Sequence, residues 1–139
     1  MTAISAMPDI LTVVEGDYKA RSYIAGGTIY RGSACTVDSN GRAVVCPITG
    51  TTKPCIGVAL DAASAYQPVT VVYEGVVNVA NADDTTPIAI GSQVSVKAGT
   101  ATYAGAVIVA GSTPDTQIIG TALTTIAGGS YGKILLKLR

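Results

Sequence analysis

The sequence predicts an all-β fold: a small β-barrel or β-tulip-like domain with an internal two-unit repeat and an extended N-terminal arm. Three observations predict it. Val, Ile and Thr fill a third of the 139 positions while Leu occurs only six times, and branching at Cβ suits a pleated sheet better than a helix. Short alternating apolar runs are separated by Gly, Pro and Asn-Gly turn chemistry along the whole chain. Finally, "PCIGVALDAA" at 54–63 returns as "IIGTALTTIA" at 118–127, and each phrase leads into a further apolar run.

Residues 1–14 read as the arm, with a short strand at 10–14, and residues 15–139 as a single β domain. A turn is expected at Glu15-Gly16-Asp17. "YKARSYIA" is then a strand ending at Gly26-Gly27, followed by "TIYRG" and "ACTVD". Asp38-Ser39-Asn40-Gly41 is a strong hairpin turn, because Asn-Gly supplies positive φ. "RAVVCPI" must end, or lie at an edge, at Pro47. "CIGVALDAA" precedes "QPVTVVYEGVVNVA", which is one long strand or two joined at Gly75. "NADDTTP" is a loop, and "IAIGSQVSVKAG", "TATYAG", "AVIVAG", "IIGTALTTIA" and "KILLKLR" complete the strands. A single helical turn at 61–66, capped by Asp61, is the only helix with any support.

The repeat resolves into three ordered matches. "RGSACTV" at 31–37 pairs with "IGSQVSV" at 90–96, "IGVALDAA" at 56–63 with "IGTALTTI" at 119–126, and "VTVV" at 69–72 with "ILLK" at 134–137. The offsets are 59, 63 and 65. Two units make a duplicated core or a pseudo-symmetric barrel, whereas a solenoid would want three or more.

Composition narrows function. There is no Trp and no Phe, so Val, Ile, Ala and some of the seven Tyr must build the core, and oligomerisation is one way to bury more surface. Nine positive charges balance nine negative ones, and only 13% of residues are charged. A nucleic-acid binder is expected to carry a basic excess, so nucleic acid is not an expected partner. The weakly charged surface suits contact with another protein. No stretch approaches eighteen uninterrupted apolar residues, so no membrane span is expected. The first residues lack a basic n-region, so no secretory signal is expected.

Without histidine, Ser–His and Cys–His nucleophiles are excluded and general acid–base work loses its usual agent. Asp83-Asp84 read as turn residues rather than cation ligands. "AGGT" and "AGGSYG" carry no phosphate-loop pattern. Cys35, Cys46 and Cys55 read as unpaired core residues, with Cys35–Cys46 across the 38–41 hairpin as the best exception. No cofactor and no metal are expected. Tyr18, Tyr23 and Tyr30, interleaved with Lys19, Arg21 and Arg31, suit a protein interface, or a stacking surface for sugar or single-stranded nucleic acid.

"YRGSACTVDSNGRAVV", "KPCIGVALDAASAYQPVTVVYEGVVNV", "TPIAIGSQVSV" and "IIGTALTTIAGGSYGKILLKL" together resemble the capsid cement, or head decoration, proteins of tailed bacterial viruses. The likeness runs over about residues 15–138; family members often have Gly-Asp where this chain has Gly32-Ser33 and Gly91-Ser92. The resemblance implies a β-barrel or β-tulip-like protein, often trimeric, that binds the outside of an assembled shell and stabilises it without catalysis. It implies the major capsid protein and further copies of the chain as partners, synthesis in the host cytoplasm, and residence on the virion exterior. Candidate capsid or subunit contacts are Ile10, Leu11, Val13 and Val14 of the arm, which could add a strand to a neighbour's edge, with Tyr18, Tyr23 and Tyr30. The loop at 81–87 is a further candidate. The alternative reading is a carbohydrate-binding or adhesion module on a phage or cell surface.

Overall fold

The computed structural model describes residues 10–46, 55–81, 86–96, 107–109 and 118–138, with backbone alone at 107–109. It is an all-β, small barrel-like domain, with no helix among the described residues. The strands are β1 (Val14–Ile24), β2 (Ala34–Val37), β3 (Ala43–Val45), β4 (Gly57–Ala59), β5 (Pro68–Ala80), β6 (Gln93–Val96), β7 (Val107–Val109), β8 (Ile118–Ala122) and β9 (Tyr131–Lys137).

β5 is the spine. Its length comes from an apolar run with no proline after Pro68, and Gly75 (φ 139°) lets it pass the middle without breaking. β1 runs antiparallel along one edge, from Val14↔Val77 to Ile24↔Pro68. The other edge is divided: β4 pairs at Val71 and Val72, and β9 pairs from Glu74 to Ala80. β4, β2 and β3 follow on one side, and β8, β6 and β7 on the other. A bridge between Ala25 and Ala43 joins the end of β1 to β3, so β1, β5, β4, β2 and β3 make a closed circuit.

The two halves repeat hydrogen bond for hydrogen bond. The Gly32 N–H donates to Ala59 O at 2.9 Å, and the Gly91 N–H to Ala122 O at 2.8 Å. Ile29 and Ala63 exchange both backbone bonds, as do Ile88 and Ile126. The Leu60 N–H reaches Thr70 O, and the Leu123 N–H reaches Lys133 O. Even the side-chain cap recurs: Asp61 Oδ1 accepts the Thr70 N–H, and Thr124 Oγ1 accepts the Lys133 N–H, both at 3.1 Å. Opposite β4, Val58 faces Val72; opposite β8, Thr121 faces Leu135. The offset at the last strand is therefore 63 and not 65. A slip of two residues keeps every side chain on its own face, so the apolar pattern alone does not register it.

Glycine closes the packing between β4 and β5. A Cβ on Gly57 would collide with the carbonyl oxygen of Val72, and one on Gly120 with that of Leu135. Two apolar clusters result. The smaller holds Ala25, Ile29, Cys35, Ala43, Ala59, Ala63, Val69 and Val71. The larger gathers Val77, Val79, Ile88, Val94, Ile119, Ile126, Ile134 and Leu136 with Ala34, Val58 and Val72. β2 and β4 are thus buried on both faces, Cys35 and Ala59 toward one cluster and Ala34 and Val58 toward the other.

Several expectations are corrected. Glu15-Gly16-Asp17 is a bulge inside β1, not a turn before it: the register shifts between Glu15 and Tyr18, with Gly16 at φ 74°. The stretch 61–66 is not helical, because Ala63 bridges to Ile29 and the Asp61 carboxylate serves the Thr70 amide. No Tyr is fully buried among the described residues; Tyr23 packs against the smaller cluster from its rim. The hairpin turn at 38–41 is as expected, with Gly41 at φ 77° and Asp38 Oδ1 accepting from the Asn40 and Arg42 amides. β5 is one strand. "TATYAG" and Asp83-Asp84 lie outside the described residues.

Candidate functional site

The arm residues sit in this domain. Ile10 is 1% exposed and Val13 3%, both in the larger cluster. The seat is made by Gly32, whose missing Cβ leaves room for Ile10 Cδ1, and by Asn78. The Asn78 N–H donates to Val13 O and its side-chain amide donates to Thr12 O, each at 2.7 Å. Val14 is half-buried opposite Val77. Leu11 alone points outward, 72% exposed.

The three candidate tyrosines do not share a groove. Tyr18 lies opposite Gly75 and Tyr23 opposite Val69, six positions along β5, or roughly 20 Å. Tyr30 is exposed beyond the Ile29 bridge. The interleaved cations are engaged separately: Lys19 Nζ is 3.4 Å from Glu74 Oε2, and the Arg21 guanidinium lies over Tyr73, 5.5 Å from its centroid. A cleft of about 190 Å³ lies beside Tyr18, lined by Asp17, Lys19, Glu74 and Gly75. Small-molecule sites begin at roughly 300 Å³, and the Lys19 ammonium inside this one is already paired with Glu74.

A different pair stands out. Tyr66 is 68% exposed and has φ 68°, the left-handed region that L side chains rarely adopt; it is the non-glycine exception among the described residues. The Arg42 guanidinium lies over its ring, 4.9 Å from the centroid. Ala25 brings them together. It bridges to Ala43 beside Arg42, and its carbonyl accepts the Tyr66 N–H at 2.7 Å. Gly26 clears the approach, since a Cβ there would meet Asp38 Oδ2 at 2.7 Å and Arg42 Cβ at 3.2 Å. Ile24 and Pro68, paired and exposed, continue the surface. The result is an aromatic–guanidinium platform at one end of the first lobe. Such residues are the commonest anchors of protein interfaces.

Sequence reasoning passed over Tyr66 and Arg42, although a signal was present. At the offset of 63, Tyr66 falls on Gly129, which has φ 71°. A tyrosine written where the twin turn uses glycine marks a position whose side chain is kept against a conformational preference.

The cysteines are free and buried. Cys35 and Cys46 do not face one another. Cys35 pairs with Val45, so Cys46 falls opposite Ala34, whose side chain leaves the other face of β2. Burial pushes the Cys35 thiol up. The neighbouring Cys55 sulfur pushes the Cys46 thiol up, and burial raises it further.

The chain matches no protein-family model and no curated protein. Fold and site define a class: a duplicated all-β domain, barrel-like, whose most distinctive exposed chemistry is a strained tyrosine stacked with arginine.

Proposed function

We propose that the chain is a structural viral protein that binds the outer surface of an assembled capsid and stabilises it, as a head decoration or cement protein. The observation that carries this reading is Tyr66: a large aromatic held exposed on left-handed backbone, where the twin turn uses glycine, with Arg42 over its ring. The likeness of the duplicated strands to cement proteins supports the reading, and so does the low, balanced charge.

In this reading the partners are the major capsid protein and two further copies of the chain, arranged as a trimer about a three-fold position. Synthesis takes place in the host cytoplasm, and the protein resides on the virion exterior. It works without catalysis and without a cofactor. An assembled shell offers the complete site and loose subunits do not, so binding favours the assembled form by mass action.

The test is to mix the purified protein with expanded, undecorated shells of the major capsid protein encoded with it, and to image them. Density at regular outer positions and shells that resist heat better are the expected result. Shells that stay bare at saturating protein overturn the reading.

A further inference from the structure

We propose that the outer row of the second lobe, Gln93–Thr121–Leu135 with Leu123 beside it, docks the first lobe of another copy of this chain, head to tail. The observation is an inequality between twins. In the first lobe Ala34, Val58 and Val72 stand side by side across β2, β4 and β5, and all three are 0% exposed. In the second lobe the same row, across β6, β8 and β9, is Gln93, Thr121 and Leu135. Here Gln93 is exposed, Thr121 is half-buried and Leu135 is 44% exposed. Alternation along the strand adds a fourth pair. Leu60 packs on the larger cluster, whereas its twin Leu123 is 39% exposed.

The difference lies in what covers each row. That of the first lobe belongs to the larger cluster, together with Ile88, Ile126 and Ile134 of the second lobe. One lobe thus lays its outer row on the other. Among the described residues no further lobe lies on the second row. Repeated units bury such faces against a neighbour, and a terminal unit is capped by a polar outer face. The second row is capped only by half: Gln93 and Thr121 stand for Ala34 and Val58, but Leu123 and Leu135 stay apolar. Val76, half-buried opposite Leu135, carries the apolar strip onto β5. A mixed row of this kind suits a contact between copies that are also soluble apart. The occupant follows from the same relation. Inside the chain, one lobe's row is covered by a lobe of the same backbone plan. Continued outward, that relation sets the first lobe of a second copy over Leu123 and Leu135. A head-to-tail contact of this kind closes into a ring.

The test uses the full chain without shells, so its failure leaves the shell reading standing. Sedimentation from about 5 µM to about 500 µM is expected to show reversible association of the wild type. The double variant Leu123→Lys, Leu135→Lys changes exposed positions only, so it should keep the strand signal in circular dichroism. Its self-association should weaken at least about tenfold. Direction is read by cross-linking. Leu123→p-benzoylphenylalanine, irradiated in a mixture with heavy-nitrogen-labelled wild type, should couple to labelled peptides of the first lobe, within residues 18–72. Should the double variant fail to fold, the cross-link map decides alone. A wild type that stays monomeric throughout, a folded double variant that associates as tightly, or coupling to the second lobe of the labelled copy overturns the assignment.

Discussion

Tyr66 and Gly129 occupy the same position in two copies of one turn, with φ of 68° and 71°. In both copies the turn is closed by the same backbone bond, from Gln67 N–H to Ser64 O and from Ser130 N–H to Ala127 O, each at 3.1 Å. The backbone asks for glycine twice and receives it once.

Left-handed backbone costs an L residue roughly 1–2 kcal/mol. An exposed cation–π contact returns about 0.5–1 kcal/mol, and glycine adds a similar entropic cost to folding. Tyr66→Gly is therefore expected to leave stability unchanged or raise it by up to about 1 kcal/mol, while Gly129→Ala lowers it by about 1 kcal/mol. Urea unfolding of the two variants checks the pair. A large loss in Tyr66→Gly would mean that the ring holds the fold together.

Gly57→Ala and Gly120→Ala should behave as twins. In each, the new methyl meets a main-chain carbonyl, of Val72 or of Leu135, that cannot turn aside. Both are expected to destabilise by more than about 2 kcal/mol. Denaturant midpoints test this, and a mild effect at either site would argue against the duplicated β4–β5 and β8–β9 packing.

The arm separates into buried and exposed residues. Ile10→Ala is expected to cost about 2–5 kcal/mol, as a large side chain leaves a packed site. Leu11→Ala, next in sequence but open to solvent, should change stability by no more than about 0.5 kcal/mol. Thermal melts of the two variants decide it. Equal effects would contradict the seat at Gly32 and Asn78.

Much of this was legible in the residues, and the exceptions have physical causes. Alternation and Asn40-Gly41 place β2 and β3, since a period of two and a positive φ are local properties. The repeat is visible because Gly57 and Gly120 are each obligatory beside a neighbouring carbonyl. Glu15-Gly16-Asp17 has the composition of a turn, yet β5 supplies a long pairing edge that carries β1 through it as a bulge; a partner distant in sequence overrides local preference. The separation of Cys35 from Cys46 was hidden for a related reason. Hairpin spacing suggests that they are neighbours, whereas the register of β2 and β3 puts their side chains on opposite faces. Ile10 and Val13 look like a free arm because the seat that buries them comes from residues more than twenty positions away.

Alkaline pH should weaken the fold through the thiols. Burial holds the Cys35 thiol above its ordinary pKa. An unfolded thiol loses its proton near about pH 8.5 while Cys35 keeps its own, so the unfolded state binds fewer protons and stability falls as pH rises past about 8.5. Below that pH the contribution is intact. The slope is at most about 1.4 kcal/mol per pH unit for each thiol. Urea midpoints from about pH 7 to about pH 10 should drop further in the wild type than in Cys35→Ala. Parallel curves would remove the cysteines from the explanation.

The central claim is that this domain binds a shell through the Tyr66–Arg42 platform. The most direct measurement is the occupancy of expanded, undecorated shells by wild type and by Tyr66→Gly, imaged side by side at equal protein concentration. An interface anchor of this kind is worth about 2 kcal/mol or more, so the variant should keep its fold and lose at least about thirtyfold in affinity. A folded Tyr66→Gly that decorates shells as fully as the wild type across a titration would contradict the claim.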